Sequence, residues 1–161
     1  MRKIALCLAL LALLCTNCFK DKNDDCVPRD IVASSAEQKM VLDYLVANGI
    51  SATHHTSGLY YQIVQPGVGL APAICSSIKV GYTGKLLDGT EVERDENMVL
   101  NLKLMLEGWR IALPLIQSGG KIRIWLPPTL AYGREGKTVN NNQVVPPNAV
   151  LFYEITLKEV M

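Results

Sequence analysis

Side chains with the chemistry of nucleophiles or metal ligands are few in this chain. His54 and His55 are its two histidines, adjacent in a polar stretch, and no third Cys, His, Asp or Glu stands at ligand spacing to complete a metal site. They read as solvated loop residues. Five cysteines occur, Cys7, Cys15, Cys18, Cys26 and Cys75, with no C-x-x-C spacing, so zinc and dithiol redox motifs are unsupported. No catalytic triad, phosphate-binding loop or metal cluster appears, and neither metal nor cofactor is expected. What remains is a set of aromatic side chains in apolar segments: Tyr82, Trp109, Tyr132 and Tyr153. On residue type alone such side chains are more often core than site. The chemistry open to such side chains is non-covalent contact with an apolar group.

The elements that would position them are mostly strands. Residues 59–64 alternate Leu59, Tyr61 and Ile63 with Tyr60, Gln62 and Val64 before a Pro66-Gly67 turn. Ile78, Val80 and Tyr82 share one face of the next strand. Asp88-Gly89 is a hairpin signal that returns the chain through Thr90, Glu91, Val92 and Glu93. Residues 121–126 point Ile122, Ile124 and Leu126 inward and Trp125 outward, and residues 150–158 put Leu151, Tyr153, Ile155 and Leu157 on one face. In this half the helical period occurs over residues 105–117, with Leu106, Trp109, Leu113 and Ile116 on one side, weakened by Pro114 and ended by Ser118-Gly119-Gly120. Upstream, Ser34 and Glu37 form a capping-box signature opening a helix of about three turns. Its apolar face carries Val41, Tyr44 and Leu45, widened by Met40 and Leu42, and Asn48-Gly49 stops it.

The 161 residues have room for one ordinary domain plus a leader. Arg2 and Lys3 followed by the apolar run 4–14 have the layout of a secretory signal. The run is too short to span a bilayer, which takes about 20 residues. Without the leader's two cations, 14 basic residues face 15 acidic ones, a net charge of −1, which favours no nucleic-acid partner. Cys18 stands where bacterial lipoprotein signals place the acylated cysteine, although Asn17 before it is larger than usual there. The F-K-D-K-N-D-D that follows resembles the acidic tether of some surface lipoproteins of Gram-negative bacteria. Cys26 and Cys75 then remain in a compartment where disulfides persist. Sequence leaves open whether they are bridged or are two separate thiols.

Over residues 57–161 the chain resembles an FKBP-type peptidyl-prolyl isomerase, through Y-T-G-K-L-L-D-G-T at 82–90, E-G-W at 107–109, L-A-Y-G at 130–133 and V-P-P-N-A at 145–149, in family order. The resemblance implies an α+β fold, a twisted antiparallel β half-barrel wrapped around one short helix and preceded here by a short accessory helix. Four segments are expected: a lipoprotein signal peptide at 1–17, a flexible acidic tether at 18–33, the accessory helix and its loop at 34–56, and the isomerase-like domain at 57–161. It also implies catalysis of rotation about X-Pro bonds, where any surface that favours the twisted amide over the planar one lowers a barrier of about 18–20 kcal/mol. By the same resemblance Trp109 is the floor of the cup and Tyr82 lines it. Tyr132 donates its hydroxyl to the peptide carbonyl, Leu106 offers a backbone amide beside Met105, and Val145 and Tyr153 complete the wall.

This chain departs from the family at several of these places. Val92-Glu93 stands where a Phe-Asp pair is common, Leu100 where a phenylalanine is usual, and Tyr153 replaces the last-strand phenylalanine. The loop at 134–144, with Asn140, Asn141 and Asn142, is longer than the compact family form and overhangs the pocket in relatives. On sequence grounds, the double substitution Val92→Phe, Glu93→Asp should raise catalytic efficiency. The expected partners are proline-containing segments of exported proteins and, through the Cys18 lipid, the outer membrane of the cell envelope. A monomer is expected, since helix 34–48 is much shorter than the arms through which some relatives dimerise. The alternatives are a non-catalytic peptide- or protein-binding lipoprotein, favoured by the departures at 92, 93 and 100, and a structural lipoprotein whose pocket is only core.

Overall fold

A computed structural model describes residues 26–161. The signal segment and Cys18 lie outside the described residues. Helix α1 spans Ser35–Ala47 and is capped as its sequence dictates, with Ser34 Oγ accepting from Glu37 N–H and the Glu37 side chain reaching back to Ser34 N. It is followed by β1 (Thr53–His54), β2 (Tyr60–Gln65), β3 (Ser77–Leu86), β4 (Glu91–Asn101), α2 (Glu107–Ala112), β5 (Lys121–Leu126), β6 (Lys137–Val139), β7 (Asn142–Val145) and β8 (Leu151–Val160). Six strands form one antiparallel sheet in the order β1-β2-β5-β8-β3-β4, and β6-β7 is a separate hairpin.

The sheet curls around α2. Its inner face buries Ile78, Val80, Ile122, Ile124, Leu126, Leu151, Tyr153, Ile155 and Leu157 against Trp109, Ala112 and Leu113, the alternation read in β3, β5 and β8. Gly108 is a packing requirement, because a Cβ there would run into the Leu126 side chain. The helix expected over 105–117 is instead six residues of α-helix and a 3₁₀ turn at Leu113–Leu115, with a further 3₁₀ turn at Leu102–Leu104 just upstream; the α-helix first begins at Glu107 and then breaks at Leu113. Pro114 accounts for the break, since it has no N–H to continue the ladder and its ring clashes with the preceding turn. The return strand after Asp88-Gly89 is also longer than its sequence suggested, running eleven residues.

On the outer face α1 packs Val41 and Leu45 over Tyr60, Trp125 and Val150, with Tyr44 and Phe152 at the edge. Met40 and Leu42, expected to widen that contact, are 45% and 43% exposed. Its junction with the 3₁₀ turn after β5 is polar: Glu37 Oε1 accepts from Thr129 N (3.0 Å) and Thr129 Oγ1 (2.8 Å). The stretch read as a flexible tether divides at Cys26. From there to Ala33 it is fastened to the domain by the Cys26–Cys75 disulfide (Cα–Cα 5.2 Å), by Ile31 on the inner core and by Ala33 N–H donating to Ser57 O at 2.9 Å. His54, expected in a loop, ends β1 and brings Nε2 to 3.1 Å from Gln38 Oε1 on α1, while His55 Nδ1 accepts from Ser57 N–H within its own loop.

Residues 134–144 were read as a loop and are mostly the β6-β7 hairpin. Asn140 and Asn141 have φ of 49° and 64°, the left-handed pair that a type I′ turn needs and asparagine tolerates.

Candidate active site

Register brings the site together. Gly84 on β3 pairs with Tyr153 on β8 on one side and with Glu93 on β4 on the other. A Cβ at Gly84 would collide with the Tyr153 ring and press on the Glu93 stem, so the glycine of Y-T-G lets the tyrosine cross β3 and reach the carboxylate. Tyr153 Oη donates to Glu93 Oε1 at 2.5 Å, a charge-assisted bond. Burial above all, then the Glu93 charge, pushes the Tyr153 phenol far above its ordinary range. Between Gly84 and Lys85 the β3-β4 register slips, so two β4 residues face one. That bulge lets consecutive Val92 and Glu93 both turn toward the inner face, where plain alternation would separate them.

Trp109 hangs from α2 at the centre, edge-on to Tyr82 (4.9 Å, 82°) and to Tyr153 (5.4 Å, 84°). Leu106 caps α2; its carbonyl accepts from Trp109 N and Arg110 N, and no backbone carbonyl of the described residues takes its own N–H. Burial first, then Glu93 and Asp95, raises the Tyr82 phenol. Tyr132 follows the turn after β5 and brings its hydroxyl to 3.4–3.5 Å from the Glu93 oxygens. Lys137, at the start of β6, donates to Glu93 Oε2 at 2.5 Å and to Tyr132 Oη at 3.0 Å. Burial works against the Lys137 charge, but the bonds to Glu93 and Tyr132 outweigh it and raise its pKa.

The residues singled out from sequence therefore gather on one face. Tyr82, Val92, Met105, Leu106 and Tyr132 are half-buried around the rim. Trp109, Tyr153 and Val145 have almost no accessible surface, at 0%, 0% and 1%, and Leu100 is 9% exposed. The cup is thus filled by its own rings. A cavity of about 670 Å³ lies on the other face of the sheet between Tyr44, Leu87, Arg94, Trp125 and Phe152 and contains none of these residues. It lies between α1 and the β3-β4 hairpin, and charged side chains, Lys85, Glu91, Arg94, Arg123 and Glu154, stand among its lining residues.

Sequence reasoning missed Lys137 and the role of Gly84. Lys137 is 44 residues from Glu93, and nothing local to either residue marks the pairing. The glycine was legible as part of a motif, while the reason for it was not.

A half-barrel closed on a short helix, with a tryptophan at its centre edge-on to two tyrosines, is the architecture that holds this candidate site. Residues 71–158 match the family of FKBP-type peptidyl-prolyl cis-trans isomerases, and the chain belongs to it. The isomerase FkpA of Escherichia coli K12 is 37% identical over 109 residues, 65% of this chain and 38% of that protein. The isomerase Mip of Coxiella burnetii is 32% identical over 108 residues, 65% of this chain and 45% of its own length. The chain thus spans about two fifths of the curated relatives it matches most strongly. The crystal structure of Escherichia coli FkpA superposes with a TM-score of 0.69 at 30% identity, over 78% of this chain and 60% of that one. A Pseudomonas syringae peptidyl-prolyl isomerase structure gives 0.67 at 25% identity, over 80% and 96%.

Proposed function

We propose that this protein catalyses cis-trans isomerisation of X-Pro bonds in exported polypeptides, from a lipid anchor on Cys18 at the outer membrane of the cell envelope. The observation that supports the activity is the convergence of Tyr82, Trp109, Tyr132 and Tyr153 on the inner side of the sheet beside the engaged carboxylate of Glu93. An amide rotating out of plane loses resonance and polarity. An apolar aromatic surface therefore suits the twisted amide better than the planar one, and in this reading the Tyr132 hydroxyl and Leu106 N–H hold the flanking peptide groups. Only interactions stronger in the twisted state accelerate rotation. Uncatalysed isomerisation takes tens to hundreds of seconds, slow enough to limit folding of exported clients.

A protease-coupled assay on short X-Pro peptides, varying the residue before proline, tests the activity. Rate enhancement abolished by a macrolide that fills the cup supports it; peptide binding without turnover replaces it with a binding module. The anchor rests on the sequence around Cys18. Radiolabelled palmitate should enter the wild type and not Cys18→Ala, and equal labelling would discard that part.

A further inference from the structure

We propose that Lys137 is a positioning residue for Tyr132, holding the tyrosine's oxygen and Glu93 at once so that the Tyr132 proton stays available for the carbonyl of a bound X-Pro peptide. The inference rests on the isomerase reading above. An ammonium group has donors and no acceptor, so at 3.0 Å the Lys137 Nζ donates and the Tyr132 oxygen accepts. The single phenolic proton must then point elsewhere. The acceptor in reach is Glu93, at 3.4 and 3.5 Å, outside the usual 2.5–3.0 Å of an O–H···O bond. Glu93 is also already engaged, with Tyr153 on Oε1 and Lys137 on Oε2, each at 2.5 Å. Lys137 Nζ stands 5.1 Å from the Tyr132 ring centroid but only 3.0 Å from its oxygen, so its closest approach is to the O–H group. Accepting a bond from a cation polarises that group and makes it a stronger donor.

The placement of Lys137 is built in. It opens β6, its backbone pairs with Val145, which is 1% exposed, and Gly136 N–H donates to Tyr132 O at 3.1 Å, tying the hairpin to the tyrosine it serves. Without the ammonium, Glu93 Oε2 loses its partner and becomes the nearest strong acceptor for Tyr132. The hydroxyl would then turn inward, away from the substrate.

The test compares wild type, Lys137→Met, Lys137→Arg, Tyr132→Phe and the Lys137→Met, Tyr132→Phe double variant, each shown folded by circular dichroism. Turnover of X-Pro peptides and peptide Kd from tryptophan fluorescence are measured on all five. Lys137→Met should lower kcat/KM roughly five- to tenfold. Lys137→Arg should recover most of that loss, and in the Tyr132→Phe background Lys137→Met should change nothing further. A merely structural lysine would give the same loss in both backgrounds, which overturns the proposal. An unchanged or faster Lys137→Met overturns it too, and a faster one would mean that the ion pair holds the cup shut. If the wild type binds peptide without turnover, the isomerase reading fails, and the same five-way comparison of Kd decides the role of Lys137. Wild type that neither turns over nor binds X-Pro peptides overturns both.

Discussion

Trp109 and Trp125 lie on opposite sides of one curved sheet and are buried almost equally, at 0% and 3% exposure. Each has an aromatic neighbour about 5 Å away, Tyr82 for the first and Phe152 for the second. Around Trp125 the partners are Val41, Leu45, Tyr60 and Val150, a helix laid on a sheet. Around Trp109 stand Tyr82 and Tyr153, with Glu93, Tyr132 and Lys137 linked through the Tyr153 hydroxyl. The Trp109 Nε1–H has no hydrogen-bond partner although it is buried. An unpaired donor of that kind weakens a fold by about 1–3 kcal/mol, which core packing alone gives no reason to retain. Burial and residue type therefore do not separate a site from a core. What differs is the bonding: the Tyr153 ring against Trp109 is hydrogen-bonded through Glu93 to Lys137, whereas Phe152 beside Trp125 has no polar atom to join such a network.

The comparison breaks most readily at the tryptophans themselves. Trp109→Leu should fold and lose at least thirtyfold in kcat/KM, about 2 kcal/mol in the barrier. Trp125→Leu should leave turnover of the folded protein within about twofold while urea denaturation shows a stability loss on the order of 2 kcal/mol, the cost of hollowing the α1 contact. Equal loss of activity in both folded variants would abolish the distinction.

The next prediction concerns the Val92→Phe, Glu93→Asp double variant, where the structure reverses what the sequence suggested. Glu93 is engaged by Tyr153 and Lys137 at once, and a carboxylate one methylene shorter cannot keep both. Losing the Tyr153 bond strands a fully buried hydroxyl, at about 1–3 kcal/mol. The double variant should therefore be several-fold slower than wild type and less stable. A gain in kcat/KM would show that the aromatic wall matters more than the Glu93 network.

The smallest effect belongs to the outer face. Burial tends to raise the Glu37 pKa, but the bonds from Ser34 and Thr129 outweigh it, so the folded value lies below the ordinary 4.5. A depressed folded pKa lends stability that is fully present above the unfolded value and is lost as pH falls through the folded one. Acidification from pH 6 to pH 3 should therefore loosen α1, seen as faster proteolysis of residues 35–47, and Glu37→Gln should remove that part of the response. The group is largely solvated, so the shift in stability is small. A response centred on the Trp109 side instead would place the acid-sensitive joint in the wrong region.

Much of the architecture was legible in order and period. The capping box at Ser34 and Glu37, the turn at Asp88-Gly89, and the inward sets of β3, β5 and β8 stand as read. Trp125 does face away from Ile124 and Leu126, although α1 then covers it. Pro114 was seen to weaken the central helix, and the outcome was a stronger break than a weakened turn.

The amino-acid sequence by itself determined the strands' faces, the caps and turns, and the order of motifs that marks the family, because each depends on residues within a few positions of one another. Tertiary structure alone decided what those faces hold. The bulge at Val92 puts two consecutive side chains on one side. The absence of a Cβ at Gly84 opens the path between Tyr153 and Glu93, 60 residues apart, and the hairpin after Tyr132 carries Lys137 to the same carboxylate across 44 residues. Such pairings follow from strand register and close approach, which no local pattern encodes, and they are what join the aromatic core to a buried polar network.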